Sequence, residues 1–107
     1  MPSATKYGLD ISDIENILSA ITQNEKVSEI VLFGSRAKGN YSNGSDIDLA
    51  IKGNSLVLND ILEVSLELDK LNLPYKIDLV IFERIQEQAL QEHIKRVGAV
   101  LFKRDLS

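Results

Sequence analysis

Phe33-Gly34-Ser35-Arg36-Ala37-Lys38-Gly39, the polar link Asn40-Tyr41-Ser42-Asn43-Gly44, and then Ser45-Asp46-Ile47-Asp48-Leu49-Ala50-Ile51 form one continuous run. Just upstream, Ile30-Val31-Leu32-Phe33 has the length and apolarity of a buried strand, and it stops at Gly34-Ser35. Beyond the link, Asp46 to Ile51 alternate strictly. A β-strand there turns Ile47, Leu49 and Ile51 to a core and puts both carboxylates on the opposite face. Gly39 to Gly44 is turn chemistry throughout and too short for a core of its own, so the two strands are expected to be antiparallel neighbours.

That arrangement places distinctive chemistry side by side. Along a strand, alternate Cβ atoms lie about 6–7 Å apart, a span in which two carboxylates can jointly hold divalent ions spaced about 3.5–4 Å apart. Hard oxygen donors of this kind suit Mg²⁺, which takes the rest of its shell from water and substrate phosphates. Gly34 permits close backbone approach to a ligand. If Ser35 opens a short helix, its free N–H groups and hydroxyl face an incoming phosphate, and Arg36 and Lys38 can add charge-assisted contacts. Taken singly, an Asp-x-Asp is also a solvated strand edge and a Gly-Ser an ordinary turn; their adjacency is what points to nucleotide chemistry. A third acid follows the same logic. Lys76-Ile77-Asp78-Leu79-Val80-Ile81-Phe82 reads as another strand, with Asp78 opposite to Ile77 and Leu79. A lone carboxylate in such a run is costly unless it has a use. Beside Asp46 and Asp48 it could ligate a metal and take a proton from an acceptor hydroxyl.

The remaining chain supplies helices. Ser12 with Glu15 forms a capping-box pattern, and Ile14, Ile17, Leu18 and Ile21 mark one face, predicting a helix over about residues 12–23 with Ile11 as its staple. Val57, Ile61, Val64, Leu68 and Leu71 form a second apolar stripe. Leu58, Leu62, Leu66 and Leu73 widen it beyond what one sheet face needs, as either a deeply buried helix or one that meets a partner protein. A last helix over about residues 84–97 ends at Gly98, before a short strand Ala99-Val100-Leu101-Phe102. His93 sits among polar neighbours and reads as a surface residue. Tyr41 is either a simple loop residue or a stacking platform for a base. Residues 1–8 look loose. The fold class is therefore α/β: a small mixed sheet carrying the three acids, with helices mainly on one face and a parallel crossover through the middle helix.

At 107 residues, 44% of them apolar, the chain is expected to be one domain, too short for a second substrate-binding domain. No apolar run approaches the roughly 20 residues that span a bilayer, and no leader pattern opens the chain, so a cytoplasmic location is expected. The absence of cysteine excludes disulfides and thiolate metal sites. A net charge of −4 argues against general nucleic-acid binding, which needs a basic surface.

With Gly34, Ser35, Asp46, Asp48 and Asp78 in place, the chain resembles the nucleotidyltransferase superfamily that includes DNA polymerase beta and the kanamycin nucleotidyltransferases, in its minimal one-domain bacterial branch. The resemblance is close over residues 30–52 and looser over 75–102, and the extended pattern Gly-Ser-x-Ala-x-Gly…Ser-Asp-x-Asp-Leu is intact. It implies a Mg²⁺-dependent transfer of a nucleoside monophosphate, AMP from ATP, to a hydroxyl with release of pyrophosphate. Asp46, Asp48 and Asp78 would be the catalytic metal ligands, two ions being expected, and Gly34, Ser35, Arg36, Lys38 and Ser45 the nucleotide contacts. Members of this branch are similar to antitoxins paired with an all-helical HEPN ribonuclease, some of which adenylylate a tyrosine of that toxin, so a HEPN-type partner is implied as acceptor. Two other classes stay open at this point. One is a non-catalytic module that neutralises or scaffolds a helical partner; the other is a sensor that binds Mg-ATP without transfer.

Overall fold

A computed structural model describes residues 5–104. In chain order the elements are strands β1 (Thr5–Lys6) and β2 (Leu9–Asp10), helix α1 (Ile11–Thr22), strand β3 (Val27–Phe33), helix α2 (Gly34–Lys38), strand β4 (Ile47–Gly53), helix α3 (Leu58–Asp69), strand β5 (Ile77–Ile81), a single 3-10 turn (Phe82–Arg84), helix α4 (Gln88–Val97) and strand β6 (Ala99–Lys103). Four strands form a mixed sheet in the order β5-β4-β3-β6. β3 runs antiparallel to β4 and β6, and β4 runs parallel to β5. Both connections expected from sequence are thus present.

The alternation read from Asp46 to Ile51 sorts the sheet into two unlike faces. Ile30, Leu32, Ile47, Leu49, Ile51 and Ile81 join Ile14, Ile17 and Ile21 of α1 and Val64 and Leu68 of α3 in the main core. On the other face Val31, Phe33 and Ala50 meet Ile94 of α4, with Val80, Phe82, Ile85 and Leu90 around them. Helices α1 and α3 cover one side and α4 covers part of the other. The uncovered part of that second face is where the acids lie.

Several local expectations are corrected. Thr5 to Gly8, expected loose, belong to a two-residue hairpin whose β1 and β2 pair antiparallel. Tyr7 and Gly8 both take positive φ, 58° and 75°, the backbone that tight hairpins favour; residues 1–4 lie outside the described residues. Helix α1 starts at Ile11, so Ser12 stands inside its first turn and caps nothing. Asp10 is the N-cap residue, without a side-chain cap bond. The last helix starts at Gln88 rather than 84, because Phe82–Arg84 form a 3-10 turn and Ile85 is extended, which lets Ile85 pack against the second apolar cluster. Gly98 follows α4 as expected, but in extended backbone. A Cβ there would run into the Ile94 carbonyl and Val31.

A polar post holds α3 in place. Asp60, buried, accepts from the Val57 N–H (2.8 Å), from the Asn24 side-chain amide (2.9 Å) and from the Lys26 ammonium (3.1 Å). Val57 has no side-chain acceptor to reciprocate, so this is half of a capping box. The Val57 N–H bond first, then the Asn24 and Lys26 contacts, hold the Asp60 carboxyl down at about 2. A depressed folded-state pKa contributes stability above the ordinary value of 3.8, and that contribution is lost as pH falls from about 4 through about 2. Asp60→Ala is therefore expected to lower Tm at pH 7, with the gap from the parent closing in thermal melts between pH 4 and pH 2.

Candidate active site

Strand register assembles the site. Phe33 pairs with Asp48 across the antiparallel ladder, and Asp48 pairs with Asp78 across the parallel one. The last residue of β3 and one carboxylate each from β4 and β5 therefore form a row on the face opposite the main core. Gly34, opening α2, stands at the end of that row. Asp46 lies one residue before β4 and is exposed; Asp48 and Asp78 are part-buried. All three acids are thus brought to one corner, where β3 ends and β4 and β5 begin.

The electrostatics agree with that convergence. Asp48 titrates above its ordinary value, first because burial disfavours its charge and then because Asp78 and Asp46 repel it, with Lys76 acting the other way. Lys76 lies 3.7 Å from Asp78, whose side chain is 43% exposed. Asp78 is consequently not the buried lone charge expected from sequence; solvent and Lys76 share its cost.

Gly34 has φ of 76°, and a Cβ there would strike the Asp48 carboxylate. Glycine therefore serves two purposes: it allows a left-handed turn between β3 and α2, and it keeps the carboxylate against bare backbone. Gly34→Ala is expected to lose transfer activity on the order of 10²-fold with a stability loss of about 1–2 kcal/mol, checked by turnover and chemical denaturation. The activity loss exceeds what the strain explains, because Asp48 must move.

Arg36 is not placed as expected. It is 1% exposed, and its guanidinium turns inward rather than toward the acid corner. Nε and Nη2 donate to the Ser45 carbonyl (3.1 and 2.8 Å), Nη1 to the Tyr7 carbonyl (2.9 Å), and Nη2 also to the Asn43 carbonyl at 3.4 Å. The rings of Tyr41 and Tyr75 lie on it at 5.4 and 5.1 Å. A buried cation here is held by carbonyl dipoles and aromatic faces instead of a carboxylate, and it ties the residue before Asp46 to α2 and to the N-terminal hairpin.

The other residues fall on either side of that division. Ser35 sits part-buried in the first turn of α2, where backbone N–H groups have no intrahelical acceptor. Lys38 is exposed at the last position of α2. Ser45 closes the link, its hydroxyl accepting from the Ser42 N–H at 2.8 Å. Tyr41 packs on Arg36 while remaining 37% exposed. His93, expected at the surface, is part-buried and edge-on to Phe33, ring centroids 6.4 Å apart. Sequence reading missed Tyr7 and Tyr75 as parts of the Arg36 cage; the tertiary fold alone brings residues 7, 36, 41, 45 and 75 together.

The donor set fits a divalent cation. It consists of hard carboxylate oxygens that repel one another, one of which, on Asp48, lies against the bare backbone of Gly34. Among the described residues no three acids or histidines close by themselves into a metal cage. Mg²⁺ would need only one or two of these carboxylates, the rest of its shell coming from substrate phosphates and water.

Residues 15–107 match the family described as Polymerase beta, Nucleotidyltransferase, and the chain belongs to that family. No curated protein sequence matches it significantly. Among solved structures, it is similar to a chain from a toxin-antitoxin complex with AMP-PNP, at 26% identity and a TM-score of 0.72 over 86% of this chain and 74% of that one. A chain from the complex of the tri-AMPylated Shewanella oneidensis HEPN toxin with its MNT antitoxin shares the fold, at 23% identity and a TM-score of 0.66 over 86% and 71%. So does a Sulfolobus solfataricus chain, at 19% identity and a TM-score of 0.56 over 94% and 91%.

Proposed function

We propose that the chain is a Mg²⁺-dependent nucleotidyltransferase that moves AMP from ATP to a hydroxyl, the acceptor being a tyrosine of a helical HEPN-type partner whose toxicity it restrains. The observation that carries this reading is the row of Gly34, Asp48 and Asp78 with Asp46 beside it: repelling acids, of which Asp48 lies too close to Gly34 for that residue to bear a side chain. The similarity to a toxin-antitoxin chain solved with AMP-PNP, and the AMPylated HEPN toxin in a second complex of the same fold, support an adenine nucleotide and a HEPN-type protein as acceptor.

In this reading Asp46 and Asp48 would hold the metal, and the backbone N–H groups at Gly34 and Ser35 would receive the outer phosphates. Bound Mg²⁺ would neutralise phosphate charge and polarise the α-phosphorus. Asp78 takes the proton of the acceptor hydroxyl as that oxygen bonds to the α-phosphorus and the bond to pyrophosphate breaks. Arg36 acts at one remove, fixing the carbonyl of Ser45 and with it the approach of Asp46. Lys38, exposed, is free to meet phosphate.

The test incubates the purified protein with Mg²⁺ and α-phosphate-labelled ATP in lysate of its source cells, beside an Asp46→Ala/Asp48→Ala double variant. A labelled protein band is expected with the parent and is expected to vanish with the variant. The absence of any band, with a helical protein retained equally by both forms, would make the chain a binding module instead.

A further inference from the structure

Helix α3 turns two faces in two directions. Val64 and Leu68 are buried in the main core, whereas Leu58, Leu62 and Leu66, one turn apart, are 64%, 55% and 64% exposed. At 3.6 residues per turn these three leucines form one outward ridge. Beside the ridge runs an open groove of about 900 Å³ between α3 and the C-terminal end of α1, with Ala20, Val64 and Leu66 among its apolar lining. Its polar lining includes the carboxylates Glu25, Asp60, Glu63 and Glu67 but only two ammonium groups, Lys26 and Lys70. Both of those are already engaged, Lys26 with Asp60 at 3.1 Å and Lys70 with Glu67 at 2.9 Å. Glu25 and Glu63 face the groove with no cation among the ion pairs of the described residues.

We infer that this ridge and groove dock a basic amphipathic helix of the partner protein, an inference that rests on the partner-directed reading above. The occupant follows from charge and symmetry. A second copy is disfavoured, since a two-fold contact sets the patch against itself and would bring Glu63 and Glu67 toward their own counterparts in a chain of net charge −4. A helix with leucines at i and i+4 and lysines or arginines on its flanks answers both the ridge and the acidic rim. The ridge lies on α3, which packs on the sheet face opposite Asp48 and Asp78. Docking there is therefore separable from transfer: the surface holds the partner while the acid corner remains open to the acceptor hydroxyl.

The test uses a synthetic 18-residue helical peptide with leucines at i and i+4 and lysine flanks, and a second peptide with glutamate in place of lysine. Binding is read by fluorescence anisotropy at low and moderate salt. The parent is expected to bind the lysine peptide at least tenfold more tightly than the glutamate peptide, and Leu62→Asp to weaken it at least tenfold with an unchanged circular dichroism spectrum. The Asp46→Ala/Asp48→Ala variant is expected to bind like the parent. Equal binding by Leu62→Asp, equal binding of the two peptides, or loss of binding in the Asp46→Ala/Asp48→Ala variant would overturn the assignment. So would parent dimers, seen by sedimentation, that Leu62→Asp dissociates. Failure of AMP transfer in every form would sink the enzymatic reading and leave the peptide result standing.

Discussion

Asp48→Asn is expected to abolish nucleotidyl transfer, by on the order of 10³-fold, while leaving the protein at least as stable as its parent. Asparagine keeps the shape of the side chain beside Gly34 but removes the charge that burial, Asp78 and Asp46 all disfavour. Because the folded-state pKa of Asp48 is raised, the native state holds its proton more tightly than the unfolded chain does. The penalty is absent below the ordinary value of 3.8 and is complete once the pH has risen above the raised one. The variant, which cannot ionise at this position, carries no such penalty at any pH. Thermal melts should place the Asp48→Asn Tm equal to or above that of the parent at pH 7, with the advantage shrinking on acidification. Added Mg²⁺ should raise the Tm of the parent more than that of the variant, because only the parent retains both of the proposed ligands, Asp46 and Asp48. A variant that lost stability as well as activity would show that Asp48 supports the fold, and the functional reading of the corner would fail.

The second large effect runs the other way. Arg36→Met is expected to cost about 3 kcal/mol or more of folding stability, read from urea denaturation. Methionine fills the space but leaves the carbonyls of Tyr7, Asn43 and Ser45 without their donors, in an environment where Arg36 itself is 1% exposed. Arg36→Lys is expected to recover less than half of the loss. An ammonium cannot present the planar fork that places two bonds on the Ser45 carbonyl, nor spread a delocalised cation over the rings of Tyr41 and Tyr75. Hydrogen exchange should quicken in residues 39–46 and in the N-terminal hairpin together, since one side chain ties both. Loss of activity without loss of stability would return Arg36 to the role of a phosphate contact.

The legible part of this molecule was the part governed by period. Alternation from Asp46 to Ile51 fixed which face each residue takes, and the short link from Gly39 to Gly44 fixed the antiparallel pairing. Asp78 was legible for the same reason, as an odd polar residue in an apolar run. Arg36 was not. Its sequence neighbours suggested phosphate chemistry, and nothing local to it encodes the distant carbonyl of Tyr7 or the ring of Tyr75. The hairpin at Tyr7-Gly8 was equally hidden, because its strands are only two residues each and show no alternation. The Ser12 capping pattern misled by two positions: the chain enters α1 directly from β2, so Asp10 is the N-cap and the helix begins before the serine can cap it.

The link from Gly39 to Gly44 is exposed and rich in turn residues, the kind of segment in which insertions are ordinarily tolerated. Here its length is metered. Arg36 at one end grips the Ser45 carbonyl at the other, and no side chain reaches farther than an extended arginine. Added residues can be absorbed as an outward bulge only ahead of Ser42, whose N–H and carbonyl both bond Ser45, and only while Ser45 keeps its station. Lengthening on the Ser45 side would push Asp46 out of line with Asp48 and Asp78. For anyone grafting a tag or reporter into this chain, the permissive seam is thus a few residues wide.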